Sequence, residues 1–550
     1  MRSGKLTYNL QSGWLLLVMI LLAGCKKQAT DYSDPYSGGK EPLDLTFNNA
    51  STPSPASGVA GTLVTFQAKG LEKFNTGGPD KLQFTFNGEL AEIMEITDNT
   101  IVVKVPESAS SGATAVTVGD QVFFGPQFKV IGKIMIDPFF KAKSGADDDI
   151  VTATALPDGR LLLGGEFTNY DNQASELAPT RRIVLTAADG EIDRTYRFGK
   201  GTNDRISTII PSSNQQKLFL GGTFGAYDVM ERFINNITTT LYNGTVDTIS
   251  TPSYNGTVTV PAFNGGTNAA VIKLFPDGDK VIAVGNFSYY LSRRYTEPSR
   301  NTKPHPTLPD EFVHADTVYV DSVEMKQLIR FHADGSLDKS YHFDNVANKS
   351  LAGGNGSITH AMQQADGKLI LVGNFSRWNG VTVGRIVRLN TDGSIDNTFN
   401  VGVGANAGIS RISYSTVTHK FLLTGTFGSF NGVAVNNMVM LNEDGSVDQG
   451  FVARDFSNGY PNFVKQLQNG LIVVGGSFSK YRNVRRPGFI VLSPDGNLAP
   501  GYNATGDFSG TIHDAVERMN SEGKISLFLL GGISKFDGTV VNNITCIAFE

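Results

Sequence analysis

The sequence predicts an all-β protein in which a small β-sandwich is followed by a seven-bladed β-propeller closed by an N-terminal strand. Three observations support this prediction. A glycine-aromatic phrase recurs seven times between residues 165 and 536. Each copy lies among short β-rich runs separated by turn dipeptides, at a period of roughly 50–60 residues, which is typical of propeller blades. The chain before the first copy alternates apolar and polar residues, as sandwich strands do.

The clearest repeat spans residues 358–399 and contains four short β-rich runs. The dipeptides Asp366-Gly367, Asn379-Gly380 and Asp392-Gly393 separate the runs. Such dipeptides favour hairpin turns because glycine adopts positive φ without steric cost. Four antiparallel strands per repeat correspond to one blade. The phrase itself begins at Gly165, Gly222, Gly285, Gly373, Gly425, Gly476 and, in a shortened copy, Gly532.

The two ends of the repeat region complement each other. The last copy stops after a third run, Cys546–Glu550, and has no fourth. Upstream of the first copy, Ile134–Phe140 resembles the missing Ile-Asp-x-x-Phe run. We therefore predict that this upstream segment pairs with the last blade and closes the ring.

Charge and acidic turns exclude several classes of function. The net charge is only −5, with no basic stripe containing aromatic residues, so nucleic acid is not an expected partner. The repeated Asp-Gly turns lack the alternating oxygen ligands and distal Glu of a calcium loop, and we interpret them as turns. We expect neither a metal nor a cofactor.

The N-terminus has the pattern of a bacterial lipoprotein. Arg2 and Lys5 precede an apolar run too short to span a membrane, so residues 1–24 are interpreted as a signal peptide. Leu22-Ala-Gly-Cys25 resembles a lipobox, which implies that Cys25 becomes the lipidated N-terminus and anchors the chain to a membrane. Residues 25–42 are predicted to be a flexible tether. Cys546 then has no disulfide partner, and we expect it to be a small buried apolar residue.

Residues 43–131 resemble an immunoglobulin-like IPT/TIG domain. The resemblance rests on a Gly58-x-x-Gly61-Thr62 opening, Phe86-Asn87-Gly88, a strand ending in Val105-Pro106, and a Ser111-Gly112 turn. It implies a spacer or a binding module, without catalytic residues.

The repeats of residues 134–550 resemble the delta-60 type of propeller repeat. The whole arrangement is similar to lipoproteins of Bacteroidota, which implies an outer-membrane location, with the cell surface favoured over the periplasmic face. Lys26-Lys27-Gln28 departs from the acidic residues that favour surface export in that group. The resemblance further implies that the protein accompanies a starch-utilisation-type uptake system, with an outer-membrane transporter and its substrate-binding lipoprotein as partners.

Long insertions indicate where recognition would occur. In a four-stranded antiparallel blade the second turn and the link between blades lie at one end, and the first and third turns at the other. Insertions at about residues 172–179, 291–323 and 250–268 should therefore crowd one face. The candidate ligand residues are aromatic or carry guanidinium groups: Tyr289, Arg293, Arg294, Tyr295 and Arg300. A ligand pocket, a protein-docking surface and a solvated loop remain open interpretations of this insertion.

The aromatic residue that ends the phrase is predicted to pack between blades, because one repeat position has the same role in every blade. Trp378 is the exception that we propose as a ligand residue, since its indole offers a stacking plane and a donor. The first strands should line the channel with residues of mixed charge, namely His360, Arg411, Lys465, His513 and Asp514.

No Ser/His/Asp arrangement or repeated carboxylate pair stands out, so we do not predict an enzyme. The leading hypothesis is a non-catalytic outer-membrane lipoprotein that binds or scaffolds, accessory to a nutrient-uptake complex. The alternative is glycan binding by the loop face. A glycan hydrolase or lyase using channel carboxylates such as Asp514 or Glu517 is the third hypothesis.

Overall fold

The structure is a computed structural model that describes residues 42–75, 81–253, 256–295, 302–304, 307–308, 312–314 and 318–550. Residues Phe47–Glu550 form one compact unit, and the described residues 42–46 lie outside it. The described chain is almost entirely β, with one 3₁₀ turn at Glu72–Phe74. The predicted signal peptide, Cys25 and nearly all of the predicted tether lie outside the described residues.

Residues 47–131 fold into a small β-sandwich. Its strands alternate buried and solvent-facing residues, as in Leu63–Lys69, because successive side chains of a strand point to opposite faces. The inward side chains include Phe66, Phe84, Phe86 and Phe128, whose rings pack at centroid distances of 4.9–6.2 Å. After a two-residue strand at Thr46–Phe47, the strands are Ser57–Gly58, Leu63–Lys69, Gln83–Phe86, Glu89–Ile96, Thr100–Lys104, Gly112–Val118 and Gln121–Val130.

The rest of the described chain forms seven successive antiparallel sheets, here called blades 1 to 7. The first strands are Ile150–Ala155, Ile206–Pro211, Val271–Asp277, Ile358–Gln363, Ile409–Ser415, Pro461–Gln466 and Ser509–Met519. The second strands are Leu161–Gly165, Lys217–Gly222, Lys280–Gly285, Leu369–Gly373, Lys420–Gly425, Ile472–Gly476 and Ile525–Phe536. The third strands are Ile183–Thr186, Ile237–Leu241, Leu328–Phe331, Ile386–Leu389, Met438–Asn442, Phe489–Leu492 and Ile544–Phe549.

The blades form a closed ring. Each first strand contacts the first strand of the next blade, and that of blade 7 contacts that of blade 1. Upstream residues Ile134–Ile136 pair antiparallel with Ile544–Phe549 as the fourth strand of blade 7. The predicted all-β propeller fold and its closing strand are confirmed.

The fourth strand is shorter than predicted in blades 1 to 6. A single bridge, such as Leu389↔Ile395, joins it to the third strand. In blade 4, Asp396 follows this bridge and ends the pairing. Its Oδ1 accepts hydrogen bonds from the amide of Thr398 at 2.9 Å and from the Thr398 hydroxyl at 2.6 Å. Oδ2 of Asp396 binds Lys368 and Arg388. This local turn bends the chain out of the ladder.

Short hairpins extend the blades. Two-residue strands follow the second strand in several blades: Arg377–Trp378 with Val381–Thr382, Ser429–Phe430 with Val433–Ala434, Lys480–Tyr481 with Val484–Arg485 and Phe456–Ser457, and Thr539–Val540 with the end of Ile525–Phe536. The remaining hairpins are Thr248–Ser253 with Gly256–Pro261, Tyr289–Arg294 with Tyr319–Glu324, Thr302–Pro304 with Phe312–His314, and Phe343–Asp344 with Lys349–Ser350.

The phrase aromatics lie in the cores between blades, as predicted. All seven are buried: Tyr170, Tyr227, Tyr290, Trp378, Phe430, Tyr481 and Phe536. Where the residue is tyrosine, its hydroxyl donates to the carbonyl of the glycine in the third turn, as from Tyr170 to Gly190 at 2.8 Å. Cys546 is also buried, and burial raises the pKa of its thiol to about 12.

The sandwich is fixed to blades 6 and 7 by polar contacts. Arg486, in the second turn of blade 6, is buried and donates from Nη2 to the carbonyl of Ser108 at 2.8 Å. The amide and hydroxyl of Ser111 both donate to the carbonyl of Ala504. Lys129 pairs with Asp537. A buried guanidinium costs free energy unless it is bonded. The contact between Arg486 and Ser108 therefore favours one orientation of the sandwich.

Candidate functional site

The first strand of every blade carries the same β-bulge, which in blades 1 to 6 lies directly after the first residue pair. The register shifts between Ile150 and Thr152 in blade 1, and at the equivalent place in each later blade. A bulge re-aims the side chains beside it. The residues that immediately follow the bulge, here called the post-bulge residues, are Thr152, Thr208, Lys273, His360, Arg411, Phe463 and Asp514.

A cavity of about 520 Å³ lies at this level of the ring, with lining residues from all seven first strands. It lies at the end of the blades that carries the second turns, because each first strand begins opposite the glycine that ends the second strand, as Ile409 does opposite Gly425. We call it the channel-mouth cavity. Lys273, His360 and Arg411 contribute to its wall.

Post-bulge side chains also join neighbouring blades. The hydroxyl of Thr208 accepts the amide of Leu274 in the next blade at 3.3 Å, and Oδ2 of Asp514 accepts the amide of Ala153 at 3.2 Å. The carboxylate oxygens of Asp514 therefore already accept hydrogen bonds from groups of the ring.

Arg411 reaches from blade 5 to blade 7. Its Nη1 donates to the carbonyl of His513 at 2.6 Å, its Nη2 lies 3.4 Å from Oδ1 of Asp514, and its guanidinium lies 4.7 Å from the centroid of the Phe463 ring. Burial lowers the pKa of Arg411, and Asp514 opposes that shift. The guanidinium of Arg411 thus has a carboxylate on one side and an aromatic face on the other.

His360 and Lys273 are both disfavoured as cations. Burial lowers the pKa of His360 well below its usual value, and the positive charges of Arg411 and Lys273 add to this effect. Burial likewise lowers the pKa of Lys273, helped by Arg411 and opposed by Asp514. These shared influences indicate that the groups lie in one electrostatic neighbourhood.

Two further pairs lie at the rim. Nε2 of His513 is 2.8 Å from Oδ2 of Asp149, and Arg205 Nη1 is 3.0 Å from Oε1 of Glu166. Each rim carboxylate therefore has a partner on a neighbouring segment.

The predicted channel residues are partly correct. His360, Arg411 and His513 line the cavity, whereas Lys465 and Asp514 are not among its lining residues. Lys273 and Arg205 line it but were not predicted. Aligning the repeats by offset would have found Lys273, because Val271-Ile-Lys273, Ile358-Thr-His360 and Ile409-Ser-Arg411 share one spacing, whereas Lys465 lies two residues further along its strand.

Trp378 is not a ligand residue on the surface, and that prediction is wrong. Its side chain is completely buried, 5.7 Å from the ring centroids of both His342 and Phe375. The same packing position that buries the tyrosines of other blades buries this indole. Glycan stacking would need an exposed ring face.

The blade 3 insertion divides the other predicted ligand residues into two groups. Arg293 faces inward and donates to the carbonyl of Phe233 at 2.8 Å and to Oδ1 of Asn235 at 3.0 Å in blade 2. Tyr295 is buried against Phe233, with ring centroids 5.7 Å apart. Both residues attach the hairpin to the ring. Their side chains are therefore engaged within the protein, whereas the sequence predicted that they would face a ligand.

Tyr289 and Arg294 remain accessible. Tyr289 is 44% exposed, and on the paired strand Tyr319 and Val320 are 45% and 55% exposed. Arg294 pairs with Asp321 at 2.9 Å and lies 5.2 Å from the centroid of Tyr319. Arg300 lies outside the described residues.

The enlarged link between blades 2 and 3 does not begin where predicted. Its hairpin, Thr248–Ser253 with Gly256–Pro261, follows directly after Asp247. Asp247 binds Lys217, the first residue of its second strand, at 2.7 Å. The hairpin therefore starts at the first-turn end of the blade, away from the insertion of blade 3. The hairpin differs from the predicted position because its residues interrupt the fourth strand of blade 2 and do not lengthen the link that follows that strand.

The described residues also bear on metal binding and on membrane-spanning helices. Across the described ranges, no group of three or more His, Cys, Asp or Glu side chains could hold a metal ion. Within those same ranges, no helix has the length and apolar character needed to cross a bilayer. The acidic turns bind their own backbone, as Asp334 accepts the amide of Ser336 at 2.9 Å.

Comparison with known proteins identifies the repeats as a β-propeller. Residues 22–126 match the family described as "Domain of unknown function (DUF5008)". Residues 156–196, 364–399, 420–451 and 467–501 match "Domain of unknown function (DUF5122) beta-propeller". None of the curated proteins matches this chain.

Two solved structures are similar over long stretches but at low identity. A crystal structure of a structural genomics protein of unknown function from Bacteroides thetaiotaomicron VPI-5482 is 12% identical, with a TM-score of 0.29, and the match covers 93% of this chain and 98% of that one. The Myceliophteria thermophila Cps50 (Swd1) β-propeller domain is 10% identical, with a TM-score of 0.37, and the match covers 73% of this chain and 96% of that one.

Proposed function

We propose that the protein is a non-catalytic binding and scaffolding lipoprotein of the outer membrane, accessory to a nutrient-uptake complex and facing the cell surface. Cys25 of the lipobox would carry the lipid anchor, and residues 43–131, which resemble an IPT/TIG domain, would serve as a spacer. The propeller would present a docking surface to the transporter and its substrate-binding lipoprotein. The observation that carries this proposal is the hairpin of blade 3, Tyr289–Arg294 with Tyr319–Glu324, here called the docking hairpin.

The docking hairpin is attached firmly to its neighbours. In addition to the contacts of Arg293 with blade 2, the side chain of Asn264 donates to the carbonyl of Arg293 at 2.7 Å and accepts its amide at 2.9 Å. A hairpin held from two sides loses little conformational freedom when a partner binds it. Such preorganisation supports a recognition role.

The exposed side chains of the docking hairpin, which lie on both of its faces, have the composition of an interface. Tyr289, Tyr319 and Val320 are each about half exposed, although the hairpin lies on a well-packed ring. Tyrosine and arginine are enriched at protein interfaces because they combine large apolar area with polar groups. The surface therefore fits a protein partner.

The engagement of the channel carboxylates supports a non-catalytic role. Asp514 is held by Arg411 and by the amide of Ala153, and Oε1 of Glu517 accepts the amide of Gln468 at 2.8 Å. A glycosidase needs one carboxylic acid and one carboxylate free to face the sugar.

Glycan binding by the docking hairpin is a second candidate. It is favoured by the stack of Arg294 on Tyr319, which is 45% exposed. Planar aromatic and guanidinium groups present flat surfaces to sugar rings.

Affinity capture from solubilised outer membranes tests the proposal. Full-length wild-type protein is expected to recover a transporter and its lipoprotein partner, and a Tyr289→Ala/Tyr319→Ala variant to lose at least nine-tenths of both. The matched control is Val381→Ala/Val433→Ala, which removes exposed side chains from hairpins of blades 4 and 5. Recovery of the bait alone, or equal recovery by the double tyrosine variant, would refute the docking role. Calorimetry of the same variants against neutral polysaccharides tests the second candidate. The absence of a heat of binding for every polysaccharide would refute glycan binding.

A further inference from the structure

The channel-mouth cavity buries polar atoms that have no hydrogen-bond partner among the described residues. Nδ1 of His360, Nε of Arg411 and Oδ1 of Asn462 are three such atoms, and all three residues line the cavity. Buried polar groups in folded proteins are nearly always bonded, to protein, water or ligand. Residues with unpaired polar atoms that line one cavity favour a polar occupant.

Nζ of Lys273 lacks a carboxylate contact within the described part of the chain. The nearby acids already have partners: Asp514 with Arg411, Asp149 with His513, and Glu166 with Arg205. Lys273 shares the cavity wall with Arg411 and His360. An unpaired lysine beside a guanidinium is unfavourable by itself, and an anion would relieve the repulsion between them.

Further lining residues of the cavity supply a hydrogen-bond acceptor and hydroxyl groups. Oδ1 of Asn462 is an acceptor, and Ser207, Thr359 and Ser410 line the same space. Ligand hydroxyl groups would donate to the acceptor and exchange bonds with the serine and threonine hydroxyls. The cavity of about 520 Å³ is within the range of small-molecule sites.

We propose that the channel-mouth cavity binds a small polyhydroxylated carboxylate, of the sugar-acid class, whose carboxylate contacts Lys273 and the guanidinium of Arg411 and whose hydroxyls bond Asn462 and the lining serine hydroxyls. The site goes beyond the proposed docking function, because none of its residues belongs to the docking hairpin. The post-bulge residues that differ between blades give the ring its one-sided chemistry, since Lys273, His360 and Arg411 occupy three consecutive blades.

Calorimetry on the full-length protein with glucuronate, glucose and succinate tests this assignment. Glucuronate is expected to bind, with glucose and succinate each at least tenfold weaker, because one lacks the carboxylate and the other lacks the hydroxyls. Lys273→Met should weaken glucuronate binding at least tenfold, and Asn462→Leu should weaken it while leaving succinate unchanged. The matched control is Lys465→Met, a first-strand lysine outside the cavity lining, which should bind within twofold of wild type.

The outcomes separate clearly. Equal binding of glucuronate and glucose, or unchanged binding by Lys273→Met, overturns the site, and equal binding of succinate overturns the sugar-acid class. Thermal shift of the wild type keeps the test independent of variant folding: glucuronate should raise Tm and glucose should not, and the absence of a shift refutes the proposal. The Tyr289→Ala/Tyr319→Ala variant should bind glucuronate normally, so failure of the docking function and failure of this site are distinguishable.

Discussion

The phrase aromatics and the post-bulge residues are both single repeat positions, yet the ring uses them in opposite ways. The aromatic position is buried and nearly uniform, and its four tyrosines are all buried residues of the blade cores. The post-bulge position ranges from Thr152 and Phe463 to Lys273 and Asp514. In a repeat protein, uniform positions maintain packing between neighbours. The comparison indicates that recognition in the channel resides where the repeat is broken.

The largest expected effect is at the uniform position. Trp378→Ala should lower the free energy of unfolding by about 3–5 kcal/mol, because it removes a completely buried aromatic side chain and leaves a cavity. Urea denaturation measures the loss. Val381→Ala on the same hairpin, where the side chain is about half exposed, is the control and should change little. A loss below about 1 kcal/mol for Trp378→Ala would break the packing interpretation.

His342, which packs on Trp378, should make this core sensitive to acid. Burial lowers the pKa of His342 to about 4, so between about pH 6.5 and pH 4 the unfolded chain takes up a proton that the folded chain refuses. Stability should therefore fall as the pH drops through that window, by at most about 3 kcal/mol, and no further loss from this group is expected below it.

The pH dependence is checked by urea titrations at several pH values with a His342→Asn variant. Asparagine does not titrate, and it tolerates the positive φ of 51° found at this residue. The variant should lose less stability between pH 7 and pH 4 than wild type. Parallel curves would show that His342 does not cause the acid sensitivity.

The smallest effect sharpens the comparison within the uniform position itself. Tyr170→Phe should cost about 1 kcal/mol, because the carbonyl of Gly190 loses its donor while the ring stays in place. Blades 5 and 7 already use phenylalanine here, at Phe430 and Phe536. Tyr460→Phe, at an exposed tyrosine, is the control. A cost above about 3 kcal/mol would mean that the hydroxyl does more than satisfy one carbonyl.

The fold was largely predictable because the same blade pattern occurs seven times in the sequence. The phrase, the Asp-Gly turns and the truncated last copy fixed the blades and the closing strand Ile134–Ile136 without long-range information. The shortened fourth strands were missed because the Ile-Asp run reads as a strand in sequence. Only the structure shows that Asp396 turns its carboxylate onto Lys368 and Arg388.

The candidate sites were less predictable, since they depend on register and on contacts between distant segments. The position along the first strand decides which residues reach the cavity: Lys273 directly follows the bulge and lines it, whereas Lys465 lies two residues beyond the post-bulge residue of its strand. Arg293 looked like a ligand residue until its partners in blade 2 were known. Trp378 could have been set aside from the sequence, because it occupies the same packing position as Tyr170 and Tyr227.

The most direct test of the account measures stability and glucuronate affinity together for Trp378→Ala and Lys273→Met. The account predicts a crossed result: Trp378→Ala loses stability and binds normally. Lys273→Met loses binding and is at least as stable as wild type, because it removes a desolvated amine that has no ion-pair partner among the described residues. If Lys273→Met binds glucuronate as wild type does, or Trp378→Ala loses binding while keeping its stability, the division between packing positions and recognition positions is contradicted.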